Sequence, residues 1–169
     1  RLPALLAPLL SGRADYAKGN RFRDRGALAR MPGLRRLGNW GLSFWSKLAA
    51  GYWALFDPTN GFTAIRGEVL RELDLDRVAD RYYFEISMLA ELNVLGATAV
   101  DVPMPARYAG EGSSLSIGRV LVGFPPRLVA TMLHRLWSKY FVYDFSAVAL
   151  FLCTGVPVLT FGVVVGAWF

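Results

Sequence analysis

From Ser146 to Phe169 the chain reads SAVALFLCTGVPVLTFGVVVGAWF, without one charged residue. About 20 apolar residues suffice to carry a helix across the hydrocarbon core of a bilayer. Pro157 and the three glycines of this stretch would weaken a helix in water, but both residue types are tolerated in membrane spans. The alternative is a buried core helix, for which so long an uncharged run is unusual. The expectation is a transmembrane helix over residues 146–169, with the preceding residues forming a domain held at a bilayer surface.

Charge is distributed to match. The net charge of +6 is concentrated in two places. Arg13, Lys18, Arg21, Arg23, Arg25, Arg30, Arg35 and Arg36 crowd the beginning of the chain against only Asp15 and Asp24. Arg119, Arg127, Arg135 and Lys139 precede the apolar stretch, with no acid between Glu111 and Asp144. Such a balance suits anionic lipid, a phosphorylated ligand or nucleic acid. No recognition helix accompanies the basic residues, which argues against nucleic acid. Basic residues beside a span mark its cytoplasmic side. The single cysteine, Cys153, lies within the stretch, so no intramolecular disulfide can form, in keeping with a reducing compartment. The hydrophobic fraction of 54% is raised by the span, by residues 40–56 and by the approach to the membrane. The chain opens without a Met and closes on apolar Trp168 and Phe169, as a piece of a longer protein would.

In order, the sequence predicts a short apolar helix over Leu2 to Leu10, stopped by Ser11-Gly12, then a strand at Ala14 to Ala17. That strand runs into Lys18-Gly19-Asn20-Arg21, two cations around a permissive glycine. Ligands of open α/β sheets bind at the carboxyl edge of strands, although a solvated basic turn fits equally well. Residues 23–33 lack periodicity and read as a loop, solvated or facing an anion. Leu34 to Phe56 has helical spacing at Trp40, Phe44, Lys47-Leu48 and Gly51-Tyr52: a core helix that grazes the bilayer rather than a second span.

Asp57-Pro58-Thr59-Asn60-Gly61-Phe62 is a turn with a mechanism, since Pro presets φ and Gly accepts positive φ. A strand follows at Thr63 to Arg66 and a short helix at Gly67 to Leu73. Tyr82 to Leu95 is expected to be a helix with one apolar stripe of Phe84, Met88, Leu92 and Leu95. Glu85, in its first turn, either complements the helix dipole or faces a cleft. Ala97 to Val102 is a strand ended by Pro103-Met104-Pro105. The loop from Arg107 to Ser114 carries the glycines, hydroxyls and arginine that can wrap a diphosphate through backbone N–H groups. Ile117 to Phe145 alternates apolar and basic residues as interfacial helices do, with a break at Pro125-Pro126. His134, among these cations, is read as a surface or headgroup-facing histidine rather than a metal ligand. No Cys/His cluster, Walker loop or Ser/His/Asp order is present.

The order of these pieces resembles the family-2 glycosyltransferases of GT-A fold, in particular membrane-bound sugar transferases acting on polyprenyl phosphate, of the dolichyl-phosphate mannose synthase kind. The resembling residues are Ala14 to Phe22, Asp57 to Phe62, Tyr83-Phe84-Glu85, Asp101 to Met104, Tyr108 to Ser114, and Lys139 to Phe145 running into the span. The resemblance implies an α/β fold: the C-terminal part of a GT-A (Rossmann-like) domain over residues 1–115, juxtamembrane amphipathic helices over 116–145, and the transmembrane helix over 146–169. It implies that the first nucleotide-binding strands and an Asp-x-Asp motif precede Arg1. A divalent cofactor, Mg or Mn, would be bound mainly there, with no metal ligand in this piece, which alone would be inactive.

By the same likeness Lys18, Arg21 and the Arg35-Arg36 pair would hold the lipid phosphate, and residues 23–33 would be the mobile acceptor loop. Arg107, Ser113 and Ser114 would close over the donor diphosphate, although close synthases often carry Lys where this chain has Ser114. The implied partners are a nucleotide-sugar, a polyprenyl-phosphate lipid and the membrane, with self-association left open. The implied location is the cytoplasmic face of a bacterial plasma membrane, in cell-envelope glycan synthesis, and the family inverts the anomeric centre. If the acceptor were instead a saccharide hydroxyl, a carboxylate base would be needed, and Asp57 and Glu85 are the candidates. A non-catalytic basic module that only binds anionic lipid is the reading from a different class.

Overall fold

A computed structural model describes residues 2–20, 33–57, 60–104 and 117–169. These form two compact units, residues 1–135 and residues 136–169.

The first unit is built on a three-stranded mixed sheet. Its strands are β1 (Tyr16–Asn20), β2 (Thr63–Ile65) and β3 (Ala99–Pro103), in the order β2-β1-β3. β1 pairs antiparallel with β2, Ala17 opposite Ala64, and parallel with β3, Lys18 opposite Asp101. As the central strand β1 is buried throughout, and alternation of its side chains serves two cores. On one face Ala17 joins Val102 and packs against Leu5 and Leu9 of α1 (Leu2–Leu10). On the other Tyr16 meets Met88, Leu89 and Leu92 of α4 (Phe84–Val94), with Ala50, Leu55 and Leu73 completing the cluster. The α/β class expected from the sequence is therefore observed.

The remaining elements of this unit are α2 (Gly33–Ala50), α3 (Gly67–Glu72), two single-turn 3₁₀ segments at Leu75–Arg77 and Arg81–Tyr83, and α5 (Ile117–Trp137). Three expectations need correction. The helix expected over Leu34 to Phe56 stops at Ala50. There Gly51, at φ +80°, takes the left-handed conformation that ends a helix, and its amide donates to the Lys47 carbonyl at 2.7 Å. α4 has no single apolar stripe: Ile86 to Asn93 are all buried, whereas Phe84 is exposed. It lies between the sheet and α5, so its second face is covered by Leu128, with Phe124 and Met132 packed alongside. Finally, α5 runs unbroken through Pro125 and Pro126. Two prolines withhold two amide donors, but their fixed φ is helical, and the neighbouring Phe124 and Leu128 pack against Tyr83 and Ile86 on both sides of the pair.

α5 is bound to α2 by one buried guanidinium. Arg135 donates Nε to the Ala49 carbonyl at 2.9 Å and Nη2 to the Leu48 carbonyl at 3.2 Å. The last carbonyls of a helix have no intrahelical partner and carry partial negative charge, so a cation there satisfies both needs. A Cβ on Gly51 would stand 2.8 Å from Nη1 of Arg135, so the capping glycine also makes room for its partner.

The second unit comprises the end of α5, a π-helical turn at Ser138–Tyr143 and α6 (Ala147–Trp168). α6 is the one helix among the described residues long and apolar enough to cross a membrane. It is not a core helix: only 6% of its apolar window is buried, and Phe151, Leu159, Phe161 and Trp168 stand exposed. The turn before it is aromatic, with Trp137 stacked on Phe141 at 5.1 Å and Phe141 edge-on to Phe145 at 6.1 Å. Lys139 lies 6.0 Å from the Tyr140 ring centre. Aromatic and basic residues at one end of an apolar helix are the arrangement of a membrane–water boundary.

Replacing Arg135 by Leu leaves the Ala49 and Leu48 carbonyls buried without their donor, at a cost of about 1–3 kcal/mol. Thermal unfolding in detergent should show a lowered Tm for Arg135→Leu, and for Gly51→Ala. The exposed Arg127→Leu should change stability by less than about 0.5 kcal/mol.

Candidate functional site

The polar face of the sheet edge is where chemistry-bearing residues converge. Register places Lys18 beside Asp101 and Asn20 beside Pro103. Because side chains two apart share a face, Lys18, Asn20 and Asp101 project on the same side as the α4 core, beyond its apolar end. Lys18 is fully buried, and its ammonium donates to the carbonyl of Asn60. Asn60, from the turn before β2, donates Nδ2 to the Gly19 carbonyl at 2.6 Å and accepts from the Phe62 amide at 3.1 Å. Gly19 is required here by space rather than dihedral angle: a Cβ would meet Asn60 Nδ2 at 3.0 Å and Met104 Sδ at 3.2 Å.

Asp101 is the hub of the other half. Its Oδ2 accepts from Asn20 Nδ2 at 2.9 Å and from the backbone amide of Phe56 at 2.6 Å. Its Oδ1 is buried with no hydrogen-bond partner among the described residues. Burial raises the Asp101 pKa above the ordinary carboxylate value, against the opposing pull of the Phe56 amide and the Asn20 amide. Asp57 adds to the rise and Lys18 resists it, so both charges lie within electrostatic reach. Asp57 is itself fully buried. Two carboxylates and one ammonium thus lie within electrostatic reach of one another at the middle of the parallel pair β1 and β3, with Asn20 at its carboxyl end. Glu85, in the first turn of α4, is neighbour to the same turn: a Cβ on Gly61 would lie 3.2 Å from its Oε1.

Of the residues singled out in the sequence, the structure gathers Lys18, Asp57 and Glu85 around the Asp57-to-Phe62 turn. Arg35 and Arg36 lie in the first turn of α2, with side chains outside those described. Arg21, the loop at 23–32, Arg107, Ser113 and Ser114 lie outside the described residues. Asp101, Asn20 and Asn60 had no role assigned from sequence. The available signal was a carboxylate interrupting the apolar strand AVDVP; its value emerges only once parallel pairing sets it opposite Lys18. Among the described residues no group of three or more His, Cys, Asp or Glu side chains could hold a metal ion.

His134 is partly buried against α4 rather than freely exposed. Its Nε2 lies 3.0 Å from Oε1 of the buried Glu91, and its Nδ1 lies 3.4 Å from Nη1 of Arg77. Burial raises the Glu91 pKa, with His134 and Arg77 opposing the rise. This cluster joins α5 to α4 away from the Asp101 corner.

No family model matches the chain, and no solved structure matches it. Curated relatives do. An uncharacterized protein of Methanocaldococcus jannaschii is 29% identical over 120 residues, covering 71% of this chain and 49% of the relative. The undecaprenyl-phosphate mannosyltransferase of Micrococcus luteus is 31% identical over 105 residues, 62% of this chain and 42% of that protein. The UDP-N-acetylglucosamine–dolichyl-phosphate N-acetylglucosaminyltransferase of Methanococcus voltae is 29% identical over 122 residues, 71% and 47% respectively. The chain spans about half the length of the curated relatives it matches. Relatives near 30% identity that bear glycosyltransferase names support a glycosyltransferase family for the chain.

The raised pKa of Asp101 has a signed consequence. A carboxyl whose folded pKa lies above its unfolded one holds a proton that the unfolded chain has released. Its contribution is present below the unfolded pKa and is lost as pH rises through the folded pKa. Asp101→Asn keeps an acceptor for the Phe56 amide and abolishes this titration. Unfolding midpoints measured across the acid range should therefore show the variant gaining on the wild type as pH rises, until Asp101 is fully ionised.

Proposed function

We propose that this chain carries the C-terminal part of the GT-A domain, with juxtamembrane helices and a span, of a membrane-bound family-2 glycosyltransferase, which moves a sugar from a nucleotide-sugar to a polyprenyl-phosphate acceptor. The observation that carries the proposal is the pair of relatives named for two different sugars and for one class of acceptor, a lipid phosphate. The polar cluster that runs from Lys18 and Asp101 to Asn20, the last residue of β1, supports it, because ligands of open α/β sheets bind outside the carboxyl edge. The exposed apolar helix α6 supports an acceptor that stays in the bilayer.

In this reading the acceptor brings its own nucleophile. A phosphomonoester with a second pKa near 6 is largely dianionic at neutral pH. One of its oxygens attacks the anomeric carbon, forming a C–O bond as the bond to the nucleotide diphosphate breaks and its electron pair leaves with the diphosphate, inverting that carbon. No protein base is needed. The protein supplies position and charge. Arg21, immediately after β1, and one arginine of Arg35-Arg36 would grip the phosphate, since planar guanidinium forks match its oxygens. Lys18 would add its charge from within the cluster, where Asp101 and Asp57 fix the local field. Arg107, Ser113 and Ser114 would close over the departing diphosphate. A Mg or Mn ion that stabilises the diphosphate would be held mainly by residues preceding Arg1 in the complete protein. The catalytic domain would lie on the cytoplasmic face of the plasma membrane.

Glu85 suggests the second reading, a saccharide hydroxyl as acceptor, because its carboxylate stands against the Asn60-Gly61 turn. In the complete protein Arg21→Ala should abolish transfer to polyprenyl phosphate while leaving thermal stability unchanged; undiminished turnover would remove Arg21 from the site. Glu85→Gln separates the acceptors. Transfer to a phosphate should survive within a few-fold, whereas transfer to a hydroxyl should fall by about 10²–10⁴-fold.

A further inference from the structure

The most conspicuous exposed surface of the first unit is aromatic. At the end of α2 and in the segment after it, Phe44 and Trp45 are each 50% exposed, Trp53 55% and Phe56 64%. They are clustered, not scattered. Phe44 lies edge-on to Trp45 at 5.7 Å and to Trp53 at 5.8 Å. Lys47 sits within the cluster, donating Nζ to the Trp53 carbonyl at 3.2 Å and lying 4.9 Å from the centre of the Phe56 ring. Soluble surfaces seldom expose contiguous large apolar groups without a partner for them.

We propose that this patch is a second membrane contact, in which Phe44, Trp45, Trp53 and Phe56 enter the headgroup region of an anionic bilayer and Lys47 meets its phosphates. Three observations select the bilayer over a protein partner. The patch is mixed Trp, Phe and Lys, the composition of membrane–water boundaries, where indole sits at headgroup depth and lysine extends its amine toward water. Protein interfaces enrich the same aromatics but deplete Lys, which here lies inside the patch. The helix that presents it, GLRRLGNWGLSFWSKLAA, carries three cations and no acid, complementary to anionic headgroups. The same chain contains α6, long and apolar enough to span, so a bilayer is within the domain's tethered reach. The inference stands whether or not the protein transfers sugars.

Spin-label accessibility tests it in the full chain. Cys153→Ser removes the one native cysteine; single cysteines then replace Trp45, Trp53 or, as a control, the exposed Asp76. The labelled chains are placed in nanodiscs of phosphatidylcholine and phosphatidylglycerol. Labels at 45 and 53 should be relaxed more by lipid-soluble oxygen than by an aqueous nickel chelate, with the reverse at 76. Equal chelate access at all three positions would overturn the proposal. So would shielding of 45 and 53 from both reagents, the signature of a second copy or another protein on the patch. A chain with Trp40→Phe, Trp137→Phe and Trp168→Phe retains Trp45 and Trp53 and leaves the patch intact. Brominated lipid should quench most of its emission, and unquenched emission would overturn the proposal equally.

Discussion

A buried ammonium on the central strand sets the terms for the first unit. Lys18 has no access to solvent, and a desolvated charge is tolerated only with polar and ionic compensation around it. The compensation includes two separate parts of the chain, the Asn60 carbonyl and the carboxylate of Asp101. Each is delivered by a different element, and each constrains that element. Asn60 holds the turn before β2 against Gly19. Asp101 ties β3 to Asn20 of β1 and to the Phe56 amide after α2. A single apolar substitution at Lys18 would relieve the desolvation yet leave the Asn60 carbonyl without its donor and Asp101 without the nearby positive charge. The arrangement therefore specifies the geometry of a site more than it stabilises a fold.

The helices are arranged to keep that corner rigid. α4 is buried on nearly all sides, between Tyr16 of the sheet and Leu128 of α5. Arg135 locks the end of α2 to α5 through two carbonyls, and the Glu91–His134 contact locks α5 to α4. α2 is consequently positioned by polar contacts at its carboxyl end.

Much of this was legible in the sequence where a local rule governs. The apolar run to Phe169 announces its helix by length and lack of charge, Ser11-Gly12 announces a stop, and strand–helix alternation announces the α/β class. What was not legible depended on pairing across the chain. Nothing local distinguishes Asp101 from a surface acid in AVDVP until β3 lies parallel to β1. The apolar stripe assigned to α4 failed because periodicity assumes one solvent face, and α5 removes it. Pro125-Pro126 reads as a break because propensity ignores the contacts that hold a helix on both sides of it. His134 looked like a headgroup-facing residue among cations; tertiary packing set it against a buried glutamate.

The aromatic patch and the carboxylate corner are not independent features. Phe56 belongs to both: its ring lies exposed beside Lys47, and its amide donates to Asp101 at 2.6 Å. The next residue is the buried Asp57. One peptide unit thus separates a surface suited to headgroups from the polar cluster at the strand edge. A displacement of Phe56 would be felt at Asp101 as loss of the amide that most favours its ionised form. Loss of that hydrogen bond favours the proton on a carboxyl whose pKa burial has already raised. The Phe56 peptide therefore ties the exposed ring to the Asp101 carboxylate through a single hydrogen bond.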